Sequence, residues 1–386
     1  MTQPVIGILG ASGSVGSAAL ACLQGDSNLM LRAAYYTRAP QQPDKRRTTW
    51  SRVNIYDESA LARFCSECTV VLNTAGPSIV IADHIARAAD QAGAHYVDAF
   101  GGSLLAKRLQ ERPLSTGRCV IHSAGIYPGL SELLPRWLAD THFDSVHLLH
   151  GWSGGREACS AAAAADVLLS TQQGFGRAGA IWENGRRMTN AMAAHDFTDL
   201  PGFPGRVRVQ PFLSAELEDM ACYLNLHDAQ WGNVMTSART LEVIAHWSGR
   251  LSLHPGTTST GACHDLLEQA VDELVDTARR DLLGHTAYYR LVIEMEGSVA
   301  NKPRRLRAVL KAKNSYQVGG AVAADAVSTL IHNPPQPGVY RAASVLNWDE
   351  VLRSLQHNRS IEDFTIVAVP PPSCNRTAGK VEEGSL

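Results

Sequence analysis

Short apolar runs alternate with helix-length segments along the first 125 residues. Val5 to Leu9 is an apolar run of strand length, followed by small residues and a helical stretch from Ser17 to Leu23. Leu31 to Tyr36 and Trp50 to Ile55 read as the second and third strands. Asp57 is placed to cap a helix opening at Glu58. Thr69 to Asn73 is a buried-type strand, and Ile79 to Ala92 has the period of one helix. His95 to Asp98 and Cys119 to His122 are further short strands, with a helix around Leu104 to Gln110 between them. Strands alternating with helices in this way predict right-handed crossover units and a parallel, doubly wound sheet.

After Gly125 the rhythm changes. Phe143 to His150 and Tyr288 to Met295 are longer, alternating strands, and a long helix is predicted from Thr260 to Leu283. This pattern predicts an inserted α+β domain on a mixed sheet, spanning residues 126–337. Near the end, Val345 to Leu355 reads as a helix and Phe364 to Val369 as a strand. Both are expected to return to the first domain, which then comprises residues 1–125 and about 338–369. Residues 370–386 are Pro-rich and then polar, and read as a flexible tail.

Composition narrows the class of protein. Of 386 residues, 45% are hydrophobic and 19% charged, enough for sizeable cores and too apolar for a disordered chain. A formal net charge of -2 leaves no global field for nucleic acid. The first residues lack a secretory pattern, and no apolar run approaches the roughly 18 residues of a membrane span. The expectation is a cytoplasmic protein with reduced thiols, no membrane contact and no nucleic-acid partner. Cys65 and Cys68 form a CxxC without a second pair or a histidine cluster, so no metal site is assigned.

The glycines carry the first chemical signal. Gly10-Ala-Ser-Gly13-Ser-Val-Gly16 lies between the first strand and the first helix. Ser12, Ser14 and Val15 complete a turn whose backbone can approach a pyrophosphate at a helix N-terminus. The spacing is GxxGxxG, so it is the strand-turn-helix setting that points to a dinucleotide. At the end of the second strand, an NAD site needs an acid for the ribose hydroxyl, and none stands between Ser27 and Pro43. Thr37 and Arg38 stand there instead, suited to a 2′-phosphate. The cofactor expected is NADP(H). Asn73-Thr-Ala75-Gly76-Pro77 and Asp98-Ala-Phe100-Gly101-Gly102 leave the same sheet edge, as does Ser123-Ala-Gly-Ile-Tyr127-Pro-Gly-Leu130.

With GASGSVG, VVLNTAGP, HYVDAFGG and AGIYPGLSELL together, the chain resembles the saccharopine-dehydrogenase-like reductases over roughly residues 4–140. The resemblance implies a Rossmann domain, a substrate and dimerisation domain on a mixed sheet, a homodimer, and hydride transfer at carbon–nitrogen bonds. It also places the nicotinamide near Ala75, Gly76, Phe100 and Gly101, with Asp98 beside them. One branch is similar to reductases of thiazoline rings in siderophore assembly.

Reduction of an imine needs a proton at nitrogen as hydride arrives at carbon, so a positioned acid is required. Tyr127 is the first candidate, His122 the second, and Asp166, on a helix after five alanines, the third. Competing readings are a ring packed against cofactor or helix for Tyr127, a satisfied strand-end histidine for His122, and a solvent-exposed or capping carboxylate for Asp166. The second domain offers Arg156, Arg177, Arg186 and Arg187 but no repeated basic pattern for several carboxylates. Trp152, Trp182, Trp231 and Trp247 suit a ring-containing substrate. Lys302 to Arg307, with Lys311 and Lys313, is one solvated strand face or a dock for an acidic carrier protein bearing the substrate. The reading is therefore an NADPH-dependent reductase of a C=N bond, a thiazoline-type cyclic imine in siderophore or natural-product assembly. The alternatives are an amine-, opine- or polyamine-type dehydrogenase on a free carboxylated metabolite, and a non-catalytic NADP-binding regulator. Reduction of NADP+ with small amino acids separates the first two, and a proton donor beside the nicotinamide excludes the third.

Overall fold

The computed structural model describes residues 3–40, 47–115, 117–170, 175–253 and 262–370. The tail beyond Pro370, and the predicted start of the long helix at Thr260, lie outside the described residues. The first six strands are β1 (Val5–Leu9), β2 (Met30–Tyr35), β3 (Thr48–Arg52), β4 (Val70–Asn73), β5 (His95–Asp98) and β6 (Cys119–His122). Between them run α1 (Ser14–Leu23), α2 (Glu58–Ser66), α3 (Ser78–Ile81), α4 (His84–Gln91) and α5 (Gly102–Glu111). Asp57 does cap α2, accepting from Ala60 N at 3.0 Å.

The second half contains α6 (Leu130–His142), β7 (Ser145–Arg156), α7 (Ala161–Leu169), β8 (Gly176–Ala178), β9 (Ile181–Glu183) and β10 (Arg186–Met188). It continues with β11 (His195–Asp199), β12 (Arg206–Ser214), α8 (Ala215–Tyr223), β13 (Asp228–Met235), α9 (Ala238–Ser252) and α10 (Ala262–Asp281). The chain closes with β14 (Tyr288–Val299), β15 (Lys302–Ala312), α11 (Ser315–His332), β16 (Gly338–Arg341), α12 (Ala342–Val345), α13 (Trp348–His357) and β17 (Asp363–Ala368).

Two sheets result. The first is parallel, with strand order β16-β6-β5-β4-β1-β2-β3. Ile6, Ile8, Val70 and Leu72 pack on α1 and α11 on one face, and Leu9, Val71 and Tyr96 on α2, α4 and α5 on the other. Both faces are covered, which is why these strands read as unbroken apolar runs. The strand order reverses between β1 and β4, and a doubly wound sheet binds its ligand at that crevice. The second sheet is mixed: β7 pairs parallel with β13 and antiparallel with β14.

Three expectations from the sequence are corrected. The apolar strand near the C-terminus does not return to the first sheet. It pairs antiparallel with β15, held by Phe364 edge-on to Trp348 at 5.1 Å and by Lys311–Asp363 at 2.9 Å. Of the closing segment, β16 joins the first sheet, beside β6. α11, expected in the inserted domain, packs instead along α1, with Ala323, Ala326 and Val327 in the first core. The helix predicted from Ile79 to Ala92 is two, broken at Ala82, whose φ is 48°. The break lets Ile79 pack against α7 while Ile85 and Ala89 stay beneath the parallel sheet.

Candidate active site at the sheet crevice

The glycine turn is shaped by close backbone approach. Gly10 has φ +79°, and a Cβ there would lie 2.8 Å from Ala75 N. A Cβ on Gly16 would lie 2.2 Å from Gly10 O and 2.6 Å from Thr74 Oγ1. α1 opens behind Gly13 without a side-chain cap, so its first N–H groups are left for an anion. Gly10, Ser12, Gly13, Ser14 and Val15 line a cleft of about 1450 Å³, with Gly16 beneath them. Ala75, Gly76 and Phe100 form its other wall, and Thr37 and Arg38 its rim. Arg38 is exposed and pairs with no acid among the described residues. An open cation, no competing acid and a Cβ-free cradle fit a dinucleotide bearing an extra phosphate.

Asp98 has a different part from the cofactor contact expected. It is 2% exposed and accepts from Asn73 Nδ2 at 3.1 Å, Tyr96 OH at 2.5 Å and Phe100 N at 2.9 Å. Asn73 Oδ1 in turn holds Ala75 N at 3.0 Å. Asp98 therefore ties together the two turns that present Ala75, Gly76 and Phe100. Gly101 lies beneath it, in the left-handed region at φ +49°, outside the cleft lining.

Against this cleft lies a cavity of about 430 Å³ with a mainly apolar wall that includes Ile126, Phe175, Phe212 and Ile244. Asp166 borders both spaces. Its Oδ1 accepts from Ser78 N and Ser78 Oγ, each at 2.9 Å. Its Oδ2 lies 3.5 Å from the position a Cβ would take on Gly76. Burial raises its pKa to about 6, with the Ser78 donors pulling it back. A carboxyl with its pKa raised to this range, beside the Gly76 turn, is suited to give or take a proton.

Tyr127 also lines the cavity. Its ring stacks on Trp231 with centroids 5.0 Å apart and planes 10° from parallel, and its buried hydroxyl has no hydrogen-bond partner. Burial pushes its pKa up. His122 is corrected: the structure places it away from both spaces. It is 2% exposed, bonded to Ser123 Oγ at 3.1 Å, and lowered to about 3 by burial and then by Arg341. Ending a strand at the ligand edge is not sufficient, because its ring faces β16.

Glu157 and Glu216 were missed, and Arg156 was named only as one of four arginines without a pattern. Arg156 is the sole lysine or arginine among the described residues lining the cavity, and its Nε donates to Thr236 Oγ1 at 3.3 Å. Glu157, between cleft and cavity, holds Ser315 N at 2.6 Å at the start of α11. Glu216, 5% exposed, lines the cavity with Oε1 unpartnered. None sits in a recognisable motif, and their meeting is set by long-range packing. Arg177, Arg186 and Arg187 are exposed, and Arg187 pairs with Glu218. No tryptophan lines the cavity among the described residues, which corrects the reading of Trp152, Trp182, Trp231 and Trp247 as substrate contacts. Within the basic strand, Arg305 and Arg307 hold Glu294, and Arg305 also Glu296. Cys65 and Cys68 are raised to about 12 by burial, and Cys68 donates to Phe64 O. No helix among the described residues is long and apolar enough to cross a membrane.

Residues 6–117 match the family model of the saccharopine dehydrogenase NADP binding domain. Among solved structures, saccharopine dehydrogenase (L-Glu forming) from Saccharomyces cerevisiae covers 95% of this chain and 100% of its own, with TM-score 0.67 and 12% identity. That likeness establishes a shared fold over both sheets. Looser matches are a C. glutamicum DAP dehydrogenase in complex with DAP (TM-score 0.47, 13% identity, 92% and 99% covered). An engineered D-amino acid dehydrogenase bound to NADP+ is similar at TM-score 0.46, 12% identity, and 91% and 99% coverage. Neither of these two carries weight at such scores. No curated protein sequence matches the chain.

Proposed function

We propose that this chain, whose residues 6–117 match the saccharopine dehydrogenase NADP binding domain and whose fold is shared with the yeast saccharopine dehydrogenase, is an NADP-dependent oxidoreductase that transfers hydride at the carbon–nitrogen bond of a small, largely apolar substrate. The observation that carries this reading is Asp166, a carboxyl bordering cofactor cleft and cavity alike, with one oxygen turned to the Gly76 turn. NADPH, when bound, supplies a hydride to the imine carbon. Gly10, Gly13 and Gly16 admit its pyrophosphate, Thr37 and Arg38 hold its 2′-phosphate, and Ala75 and Phe100 flank the reacting end.

Asp166 gives the proton: its O–H bond breaks, an N–H bond forms, and C=N becomes CH–NH. In the reverse direction the carboxylate takes that proton back. Ser78 holds one carboxyl oxygen in place so that the other can face the substrate. The apolar wall excludes water, and Arg156 offers a site for one substrate carboxylate. A substrate with two or three carboxylates is disfavoured, since no second cation lines the cavity among the described residues. A cyclic imine of the thiazoline or pyrroline class, with at most one carboxylate, meets these demands. The non-catalytic reading loses ground because a proton donor lies beside the cofactor turn.

The test is a panel read by NADPH absorbance: thiazoline-4-carboxylate and 1-pyrroline-2-carboxylate as imines, and free α-amino acids with NADP+ for the reverse reaction. Oxidation of NADPH by an imine, abolished in Asp166→Ala, supports the reading. NADPH bound but inert across the panel counts against it.

A further inference from the structure

A second group of side chains on the cavity wall lacks partners. Glu216 opens α8 and is 5% exposed. Its carboxyl is approached by hydroxyls alone, Ser123 and Ser131, the latter with Oγ 3.5 Å from Oε2, and its Oε1 is left without a partner. The Tyr127 hydroxyl is equally without a partner, and its ring is held flat against Trp231. A Cβ on Gly151 would stand 2.1 Å from the Trp231 ring, so the strand is cut away to seat that indole. Ser214, whose hydroxyl lies near the Tyr127 oxygen and lowers its pKa against burial, also caps α8 by accepting from Leu217 N at 3.1 Å.

The charges around Glu216 do not balance. Glu132, 1% exposed, pairs with Arg136 and Arg341, and Arg341 also holds the half-exposed Asp219. Three carboxylates, Glu132, Asp219 and Glu216, thus share two guanidinium groups, and Glu216 is the one without an ion pair. His122 beside Arg341 is neutral and supplies no charge. A buried carboxyl with one oxygen unpartnered and no ion pair is costly unless it is protonated or a ligand completes it.

We propose that Glu216 and Tyr127 form an ammonium subsite, so that the substrate carries a basic nitrogen in addition to the carbon–nitrogen bond that is oxidised or reduced. This rests on the hydride-transfer reading for the reacting bond. An ammonium has three N–H donors and no acceptor, which suits Glu216 Oε1 and the Tyr127 oxygen together. It also supplies the positive charge that the cluster lacks. A second carboxylate would be repelled here, and a purely apolar group would leave both polar atoms bare.

The probe is n-butylammonium chloride, with 1-butanol as its neutral counterpart, titrated into the full chain saturated with NADP+ and followed by calorimetry at pH 8 and matched ionic strength. Butylammonium should bind about tenfold more tightly than butanol, the factor expected of one charge-assisted hydrogen bond. Glu216→Gln should erase that preference while NADP+ affinity, which belongs to the other cleft, reports that the variant is folded. Tyr127→Phe should reduce it several-fold, which keeps the idea testable should the glutamine variant fail to fold. Equal binding of the two probes, or a preference that survives Glu216→Gln, overturns the subsite. Ammonium preference without turnover of any imine or amine leaves the subsite standing and removes the hydride-transfer reading. Turnover without ammonium preference does the reverse.

Discussion

Asp166 and Ser78, 88 residues apart in the chain, meet through two hydrogen bonds of 2.9 Å onto a single carboxylate oxygen. The contact joins α7 of the inserted segment to the turn after β4, and it fixes a carboxyl at the border of two spaces. One oxygen is committed to structure, and the other lies toward Gly76. Burial and the Ser78 donors act in opposite directions on its proton, and burial dominates.

Asp166→Asn should lower imine reduction by about 10²- to 10⁴-fold, the range for a positioned proton donor, with NADPH affinity retained. In the wild type, reduction should decline as pH rises through about 6, where the donor ionises, and amine oxidation should rise through the same range. The asparagine variant should lose both limbs. Steady-state rates from pH 5 to 8 check this.

Arg38→Ala should weaken NADPH by about tenfold and leave NADH nearly unchanged, because the side chain has a role only when the 2′-phosphate is present. Raising salt should narrow the difference, since Arg38 is exposed. Fluorescence titration of the two cofactors measures it.

Gly16→Ala places a methyl 2.2 Å from Gly10 O, a backbone atom that cannot yield without opening the turn. Overpacking of this kind costs about 1–3 kcal/mol, and cofactor affinity should fall with it. Gly13→Ala, with a nearest contact of 3.2 Å, should cost much less stability. Thermal unfolding of the two variants without cofactor gives the comparison.

Glu216 is raised to about 7 by burial and then by Glu132, with the Ser123 hydroxyl, Arg341 and Ser131 opposing. An acid whose pKa is higher folded than unfolded binds more protons in the folded state, so stability falls as pH rises from about 4.5 to about 7. Glu216→Gln removes that loss. Its unfolding temperature without ligand should exceed the wild type's by a few degrees at pH 8 and match it near pH 4. Calorimetry at the two pH values decides it.

The parallel sheet was legible because each of its strands is a local apolar run followed by a helix of matching period. Gly10, Gly13 and Gly16 were legible as a cofactor turn because their setting is contiguous. Asp166 was visible only as a carboxylate after five alanines, since its value comes from Ser78 across the sheet edge. Glu216 gave no signal, because burial without a partner is a property of packing and not of a motif, and Arg156 could not be told from three exposed arginines. Ala82 breaks a helix with neither proline nor glycine, for which periodicity has no mark. The last strand was misplaced for a related reason: its apolar run does not say which sheet edge it joins, and β16 takes the edge of β6 while Phe364 packs on Trp348 beside β15.

The most direct measurement is isotope transfer. With NADPH deuterated at the reactive C4 position, thiazoline-4-carboxylate and 1-pyrroline-2-carboxylate should each be tried as acceptor and the products read by mass spectrometry. The account predicts one deuterium on the former imine carbon of at least one product, at a rate that Asp166→Asn lowers at least a hundredfold. Bound NADPH that keeps its deuterium with both acceptors, or label transfer at equal rates in wild type and Asp166→Asn, would contradict it.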